Sequence, residues 1–363
     1  IGGCIGLFIK HTPVQIKSYN LNKQAPSLLY MICIRFFILH PTMLSPSLIH
    51  QWKTSGYCIA HSFFPSDDYS TAHTAAHTHP FEDTCDFGSK DGCLEFPTDV
   101  PALNHLTLHP NLIRSVQALL NTDDVRLIQS DVWSKTGHPI AYPDKDADKD
   151  TDTYADTNQD QRMHMDYPNN YLTYPNENWN TPESVAAIVY FDDERECGGG
   201  TRVVPRMGES DPAYQHPFTQ LPGLGHYPHH NNRTLAETYF RTHHPDVYTF
   251  RQSLYDREIG VSFRPNTVLF YRHDLWHRGF PLHPGQQRIV MNLGFKRAGC
   301  DWITCWNYGW ARGLCWKTRK MEVFVQGASP LQRMCLGFPG EGSSYWTETQ
   351  VGVMRMRYGR SRL

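Results

Sequence analysis

From Ser47 onward, apolar and polar residues alternate regularly enough to predict elements. Leu48–Thr54 reads as a helix, with Ser45 and Ser47 offering N-cap hydroxyls and Gly56 a C-terminal stop, and Tyr57-Cys58-Ile59-Ala60 reads as a short strand. Asp67 and Asp68 are placed to cap a second helix that runs into a His/Ala/Thr tract. Asn111–Leu120 puts Leu112, Val116 and Leu119/Leu120 on one helical face, as an element packed on a sheet would.

Further along, the period shortens to two. Val125 to Lys135 alternates as a long strand with Gln129, Asp131, Trp133 and Lys135 on one face, and polar groups facing inward need a ligand or a partner. Ser184–Phe191 is apolar and rich in β-formers, as a central strand is. Gly198-Gly199-Gly200-Thr201 follows and leads into Arg202–Val204. No Gly-Lys-Thr accompanies the glycines and no helix opens after them, so they read as a tight turn rather than a phosphate loop. Val261–Phe263, Thr267–Tyr271 and Gln287–Phe295 complete the strands. The last of these presents Ile289, Met291, Leu293 and Phe295 on one face and Arg288, Val290, Asn292 and Gly294 on the other.

Three stretches stand apart. Residues 1–43 carry no clear period and read as a poorly ordered lead or upstream sequence, since the chain opens on Ile1. Residues 144–160 are rich in Asp, Thr and Lys and read as an acidic surface loop, with no EF-hand spacing to support calcium. Residues 205–246, dense in Pro, His and aromatics, read as an irregular lid or substrate loop. With 329–363 as a helical extension, residues 44–363 are expected to form a single domain.

Bulk properties narrow the function. A net charge of −2 over 363 residues supplies no field for nucleic acid or a polybasic membrane contact. The apolar run Leu28–Leu39 is too short to span a bilayer and contains Arg35. Ten cysteines without a C-x-x-C pair fit reduced thiols in an intracellular protein. Ser361-Arg362-Leu363 is a tripeptide of the peroxisomal type, so the expected location is peroxisomal, otherwise cytoplasmic. The expected partner is a small molecule, and the oligomeric state stays open.

The candidate chemistry lies in His164-Met165-Asp166, followed far downstream by His277 and then Arg288. A His-x-Asp pair on an extended segment puts both side chains on one face. A distant His can then complete the two-His-one-carboxylate set that holds non-haem Fe(II) with positions left open. His244-Pro245-Asp246 repeats the pattern, but with a proline between the ligands and little chain before His277. His273 competes for the distal role; His277 is preferred because it lies past the Thr267–Tyr271 strand, near the turn into the Arg288 strand. His73, His77 and His79 have spacings that suit a metal on a helix, but a chain with 20 histidines clusters some by accident.

With these residues in view, the chain resembles the phytanoyl-CoA dioxygenase family of Fe(II)- and 2-oxoglutarate-dependent oxygenases over roughly Leu44 to Gly359. The matching features are Leu48–Ala60, Leu108-His109-Pro110 through Lys135, His164-Met165-Asp166, the Gly200–Pro205 turn and strand, Pro265–Phe270 leading to His277, Arg288, and the segment from Ser329 to Thr347. The resemblance implies a mainly β protein with flanking helices, a double-stranded β-helix (jelly roll, cupin-like). It implies His164, Asp166 and His277 as iron ligands and as the catalytic set, and Arg288 as the clamp on the far carboxylate of 2-oxoglutarate. Lys135 matches a position that contacts 2-oxoglutarate in some relatives, and Gln129 one that touches substrate.

The implied activity is hydroxylation of a C–H bond of a small molecule, with lipid and acyl-CoA among the candidates. It consumes O2 and 2-oxoglutarate, releases succinate and CO2, and takes ascorbate as reductant. The carboxylate of Asp166 favours hydroxylation over halogenation, in which a small residue stands at that position. Two departures are present: Gly279 stands where many relatives carry a hydroxyl, and Pro205-Arg206-Met207-Gly208 replaces the usual Pro-Gly-Ser-His. The alternative is a jelly-roll metal-binding protein without oxygenase activity, such as a cupin-like isomerase or a binder. Arg288 discriminates, because such a protein needs no inward cation there.

Overall fold

In the computed structural model, which describes residues 44–81, 93–137, 160–167, 175, 178–215, 229–300, 303, 320–335 and 342, the chain winds back and forth between two antiparallel sheets. Its strands are β1 (Tyr57–His61), β2 (Leu94–Glu95), β3 (Val125–Thr136), β4 (Ser184–Tyr190), β5 (Thr201–Val203), β6 (Ile259–Gly260), β7 (Thr267–Tyr271), β8 (His277–Gly279) and β9 (Gln287–Arg297). The larger sheet runs β1-β7-β4-β9-β3-β2 and the smaller β6-β5-β8. A bridge between His164 and His277 adds the 163–166 segment to the side of β8 away from β5. Taken in chain order from β3, successive segments fall in the larger, smaller, larger, smaller, smaller, larger, smaller and larger sheet. Four strands interleaved with four in this way make a double-stranded β-helix, the jelly roll expected from the sequence.

Two apolar layers hold it together. On the outer face of the larger sheet, Val185, Ala187, Val189, Val268, Phe270, Ile289, Met291, Leu293 and Phe295 pack with the helices α1 (Pro46–Ser55), α2 (Ser66–Thr78), α3 (Pro101–Thr107) and α4 (Pro110–Leu120). Leu112, Ile113, Val116, Leu119 and Leu120 of α4 are fully buried there. Each such side chain contributes about 1.5–3 kcal/mol by leaving water. Between the sheets, Trp133, Ala186, Tyr190, Leu269, Tyr271 and Val290 meet Met163, Met165, Val203 and Trp276. The two faces anticipated for β9 are therefore the two faces observed.

Local chemistry explains the helix ends. The Ser45 hydroxyl accepts from Leu48 N at 3.3 Å, and Gly56, at φ +88°, closes α1 by donating to Trp52 O. At α4 the cap is His109, whose Nδ1 accepts from Asn111 N at 3.2 Å. Asp67 and Asp68 do not cap α2. Pro65 holds the cap position without a side-chain bond, and the two carboxylates sit in the first turn, where the helix dipole favours them.

Four further expectations need correction. First, β3 is not a uniformly alternating strand, because its register with β9 shifts between Leu127 and Gln129 and leaves Ile128 as an extra residue. Val125 and Leu127 face the helices before the bulge. After it Ser130, Val132 and Ser134 take that side, which turns Gln129, Trp133 and Lys135 inward. Second, the His164 segment is no regular strand: it makes one bridge and bends at Asp166.

Third, the end of the stretch taken as an irregular lid is helical, with α6 (Arg233–His243) and the start of α7 (Pro245–Tyr255) following the short α5 (Glu194–Cys197), while residues 216–228 of it lie outside the described residues. Pro245 misleads the reader of the sequence: it occupies the first turn of α7, where a missing N–H costs nothing, instead of breaking a helix. Fourth, the strand placed at Val261–Phe263 lies at Ile259–Gly260 instead. Helices α8 (Lys320–Gly327) and α9 (Pro330–Cys335) close the described part. The lead 1–43, residues 144–159 of the acidic loop and the Ser361-Arg362-Leu363 tail lie outside the described residues. Among the described residues the cysteines are free thiols, and no helix is long and apolar enough to cross a membrane.

Candidate metal centre

His164 and His277 are brought together by their own backbones. His164 N donates to His277 O and His277 N to His164 O, both at 2.9 Å, and the two rings lie 4.4 Å apart. The chain then bends so that Asp166 N donates to His273 O at 3.0 Å, which swings the carboxylate toward the rings. His164 Nε2 stands 3.7 Å from Asp166 Oδ1, and His277 Nε2 stands 3.3 Å from Asp166 Oδ2. The three ligand atoms lie within 4.8 Å of one another.

The tautomers suit a metal. His164 Nδ1 faces Arg162 O and His277 Nδ1 faces Leu275 O, each at 3.0 Å. A carbonyl only accepts, so each Nδ1 carries the proton and each neutral ring turns its Nε2 lone pair to the shared space. Burial, with His277 beside it, outweighs the pull of Asp166 and drops the His164 pKa to about 3. Burial works against the charge of Asp166, but His277 and then His164 hold its carboxyl below the usual range. For His277 the order reverses: burial lowers it, and Asp166 more than compensates, so its pKa is raised. An ionised carboxylate therefore sits between two imidazoles whose Nε2 atoms face it, a donor set that suits a dication.

The same cleft, about 890 Å³ including its open mouth, is lined by all six residues singled out in the sequence: Gln129, Lys135, His164, Asp166, His277 and Arg288. Arg288 is 8% exposed, and its Nε has no hydrogen-bond partner among the described residues. Burial lowers its pKa, against the opposing pull of Tyr190, Cys197 and Asp192. Lys135 lies directly across from it on β3 and is equally buried. Gln129 is held by its bond from Nε2 to Asp131 Oδ2 at 2.7 Å.

A Gly-rich turn makes room for the guanidinium. Gly199 has φ +66°, and a Cβ there would come within 2.5 Å of Leu282 Cδ2 and 3.2 Å of Arg288 Nη1. Gly199→Ala is expected to destabilise the protein by about 1–3 kcal/mol through backbone strain, read as a lower urea midpoint.

Sequence reasoning missed several lining residues. Asn292 was findable, since it shares the inward face of β9 with Arg288, four residues before it. Tyr271 was hidden in a five-residue strand whose every position is buried. Gln161 gave no signal: its Oε1 accepts from Gly279 N at 2.8 Å, at the position where a hydroxyl was found wanting.

The network behind the site was missed as well. Met163 N donates to Tyr255 Oη on α7 at 2.9 Å and Arg162 N to His230 O at 2.9 Å. Arg278, next to His277 and 1% exposed, bonds Glu258 at 2.6 and 2.7 Å and Asp160 at 2.5 Å. Asp160 also accepts from Arg233 on α6. Helices α6 and α7 thus brace the His-x-Asp segment that lacks a ladder of its own.

The competing histidines do not join the ligand trio. His273 lines the cleft, but its Nδ1 pairs with Ser184 Oγ at 2.8 Å and it lies outside the ligand trio. His244 and Asp246 fall at the junction of α6 and α7, away from the cleft. His77 Nε2 bonds Asp192 at 2.9 Å, and the His73, His77, His79 tract forms no three-ligand group among the described residues. A second trio, Asp68, His105 and His109, joins α2, α3 and α4. There His109 Nδ1 is the acceptor that caps α4, so the proton is on Nε2 and points at Asp68. That nitrogen has no lone pair for a metal.

The sequence matches no protein-family model and no curated protein. Solved structures of similar architecture include EctD from S. alaskensis with 2-oxoglutarate and 5-hydroxyectoine, 13% identical, covering 71% of this chain and 78% of that one at a TM-score of 0.45. The epimerase SnoN in complex with Fe3+, alpha ketoglutarate and nogalamycin RO is 12% identical, covering 69% and 83% at 0.43. HygX from Streptomyces hygroscopicus with iron bound is 13% identical, covering 70% and 88% at 0.43. Likeness at this level concerns architecture alone, which the strand order establishes independently.

Proposed function

We propose that this chain is an Fe(II)- and 2-oxoglutarate-dependent dioxygenase of the phytanoyl-CoA dioxygenase type that hydroxylates a C–H bond of a small molecule. The observation that carries the reading is the convergence of His164, Asp166 and His277 in one cleft with a buried guanidinium whose Nε lacks a partner. Two imidazole nitrogens and one carboxylate oxygen suit ferrous iron and leave coordination positions open. The orphaned donor of Arg288 suits a carboxylate.

When bound, iron with 2-oxoglutarate and O2 supplies the oxidising power for hydroxylation and leaves succinate and CO2. The chain's own residues do the rest. His164 and His277 would hold the metal through Nε2 while each Nδ1–H donates to a backbone carbonyl, which fixes both ring planes. Arg288 would orient the cosubstrate by a charge-assisted bond to its far carboxylate, with Lys135 as the neighbouring cation. Val290, Ile188 and Ala186 narrow the cleft and exclude water around the reacting atoms.

The test is succinate release from 2-oxoglutarate by the purified chain with Fe(II) and ascorbate, in the absence of any added substrate. Slow succinate formation that requires Fe(II) is expected. A metal-loaded protein that neither binds 2-oxoglutarate nor yields succinate is instead the jelly-roll binder.

A further inference from the structure

We infer that Tyr271 is a positioning residue for the metal centre: its phenol, delivered from the opposite sheet, fixes the plane of the Asp166 carboxylate. This rests on the proposed metal site and extends it to a residue that no sequence pattern marked.

Tyr271 Oη donates to Asp166 Oδ2 at 2.9 Å. The two ends of this bond differ in rigidity. Tyr271 ends β7, where it pairs with Tyr57 on one side and Ala186 on the other, and its ring is 6% exposed and packs 4.8 Å from the His277 ring. Asp166 lies past the single bridge of its segment, at a bend, where His273 O holds its backbone N–H but nothing in the backbone fixes the turn of its carboxylate. The rigid partner therefore sets the position of the loose one.

The other groups near the carboxylate are His164 and His277, both of which turn Nε2 toward it and are themselves candidate ligands. Once their lone pairs serve a metal, they no longer hold Asp166 by hydrogen bonds. Among the described residues, Tyr271 is the hydrogen-bond donor to this carboxylate that is not a candidate ligand. Without it the carboxylate is free to turn about its Cβ–Cγ bond, and the metal loses a preset third ligand.

A buried tyrosine needs an acceptor in any case, and Asp166 serves that purpose too. The two roles separate experimentally. Tyr271→Phe keeps the ring against His277 and removes the hydroxyl alone, so the fold is retained and metal affinity becomes the readout. Titration of the full chain with Co(II), followed by its visible absorption, is expected to give a dissociation constant about 10–100-fold higher in Tyr271→Phe, with a shifted spectrum. In an Asp166→Ala background the same substitution is expected to change Co(II) affinity less than about twofold, because the hydroxyl then has nothing to position.

An unchanged Co(II) affinity and spectrum in Tyr271→Phe, whatever its melting temperature, overturns the inference and leaves the metal site standing. An equal loss in both backgrounds also overturns it, since the effect would not pass through Asp166. A wild-type chain that binds no Co(II) removes the metal site and this inference together.

Discussion

Asp166→Ala is expected to abolish Fe(II)-dependent succinate formation, with a loss exceeding about 100-fold, the upper end for partners that only support a ligand. The argument starts from charge. Among the described residues, Asp166 is the sole carboxylate lining the cleft, against Lys135 and Arg288 and an Arg278 already paired with Asp160 and Glu258. Without it two neutral imidazoles remain beside Lys135 and Arg288, and a dication is held far more weakly. The proton balance changes as well, because the pull of Asp166, with a smaller share from the Leu275 carbonyl, is what raises His277 against a burial that lowers it. Asp166→Asn separates the two effects: it keeps the shape and the acceptor for Tyr271 but loses the charge, and should be nearly as damaging. Succinate yield and Co(II) titration together decide the matter. Retention of a tenth or more of wild-type turnover in Asp166→Ala would place the metal elsewhere.

The part of the site legible in sequence is the part written in strands. Arg288 was readable as inward because Ile289, Met291, Leu293 and Phe295 form an unbroken apolar face, and those four do pack on the helices. The preference for His277 over His273 also followed from strand ends: β7 stops at Tyr271, and His277 begins the next strand opposite His164. Gln129 and Lys135 were read as sharing a face, which is correct only because both lie after the bulge at Ile128. Val125 and Leu127 show the other side of that shift, and nothing in the residues around Ile128 announces it.

What was not legible comes from contacts distant in sequence and from helices disguised by composition. Arg233–His243 and Pro245–Tyr255 lie beside a run of histidines and prolines and carry aromatics that suggest a loop, yet Ala236, Phe240 and Leu254 mark their buried sides. Their placement matters because Tyr255, Arg233 and the Glu258–Arg278–Asp160 chain of ion pairs brace the segment bearing His164. A buried cation such as Arg278 is tolerated because both of its sides are met by carboxylates. Sequence shows the charges but not which of them meet, so the bracing is a property of the folded chain alone.

Among the described residues Arg288 has no carboxylate paired with it, and its replacement should therefore have two effects of opposite sign. It is buried, its Nε is unmatched, and Lys135 faces it across the β3–β9 pair, where like charges oppose one another. Arg288→Leu removes the desolvated charge and fills the space with apolar carbon, so the protein without 2-oxoglutarate should melt higher than wild type. Affinity for 2-oxoglutarate should fall, because a hydrogen bond to charge is worth about 1.5–3 kcal/mol, or roughly 10–150-fold. Linkage turns this into a thermal measurement. At a concentration 100 times the wild-type dissociation constant, 2-oxoglutarate stabilises the wild type by about 2.7 kcal/mol; a variant weakened 50-fold keeps about 0.7 kcal/mol of that. Melting curves of the Co(II)-loaded proteins with and without 2-oxoglutarate should therefore cross: the variant is the more stable alone, and the wild type the more stable with ligand. A variant that melts lower alone and keeps the full ligand shift would mean that Arg288 is a structural cation and that the far carboxylate is held by another group.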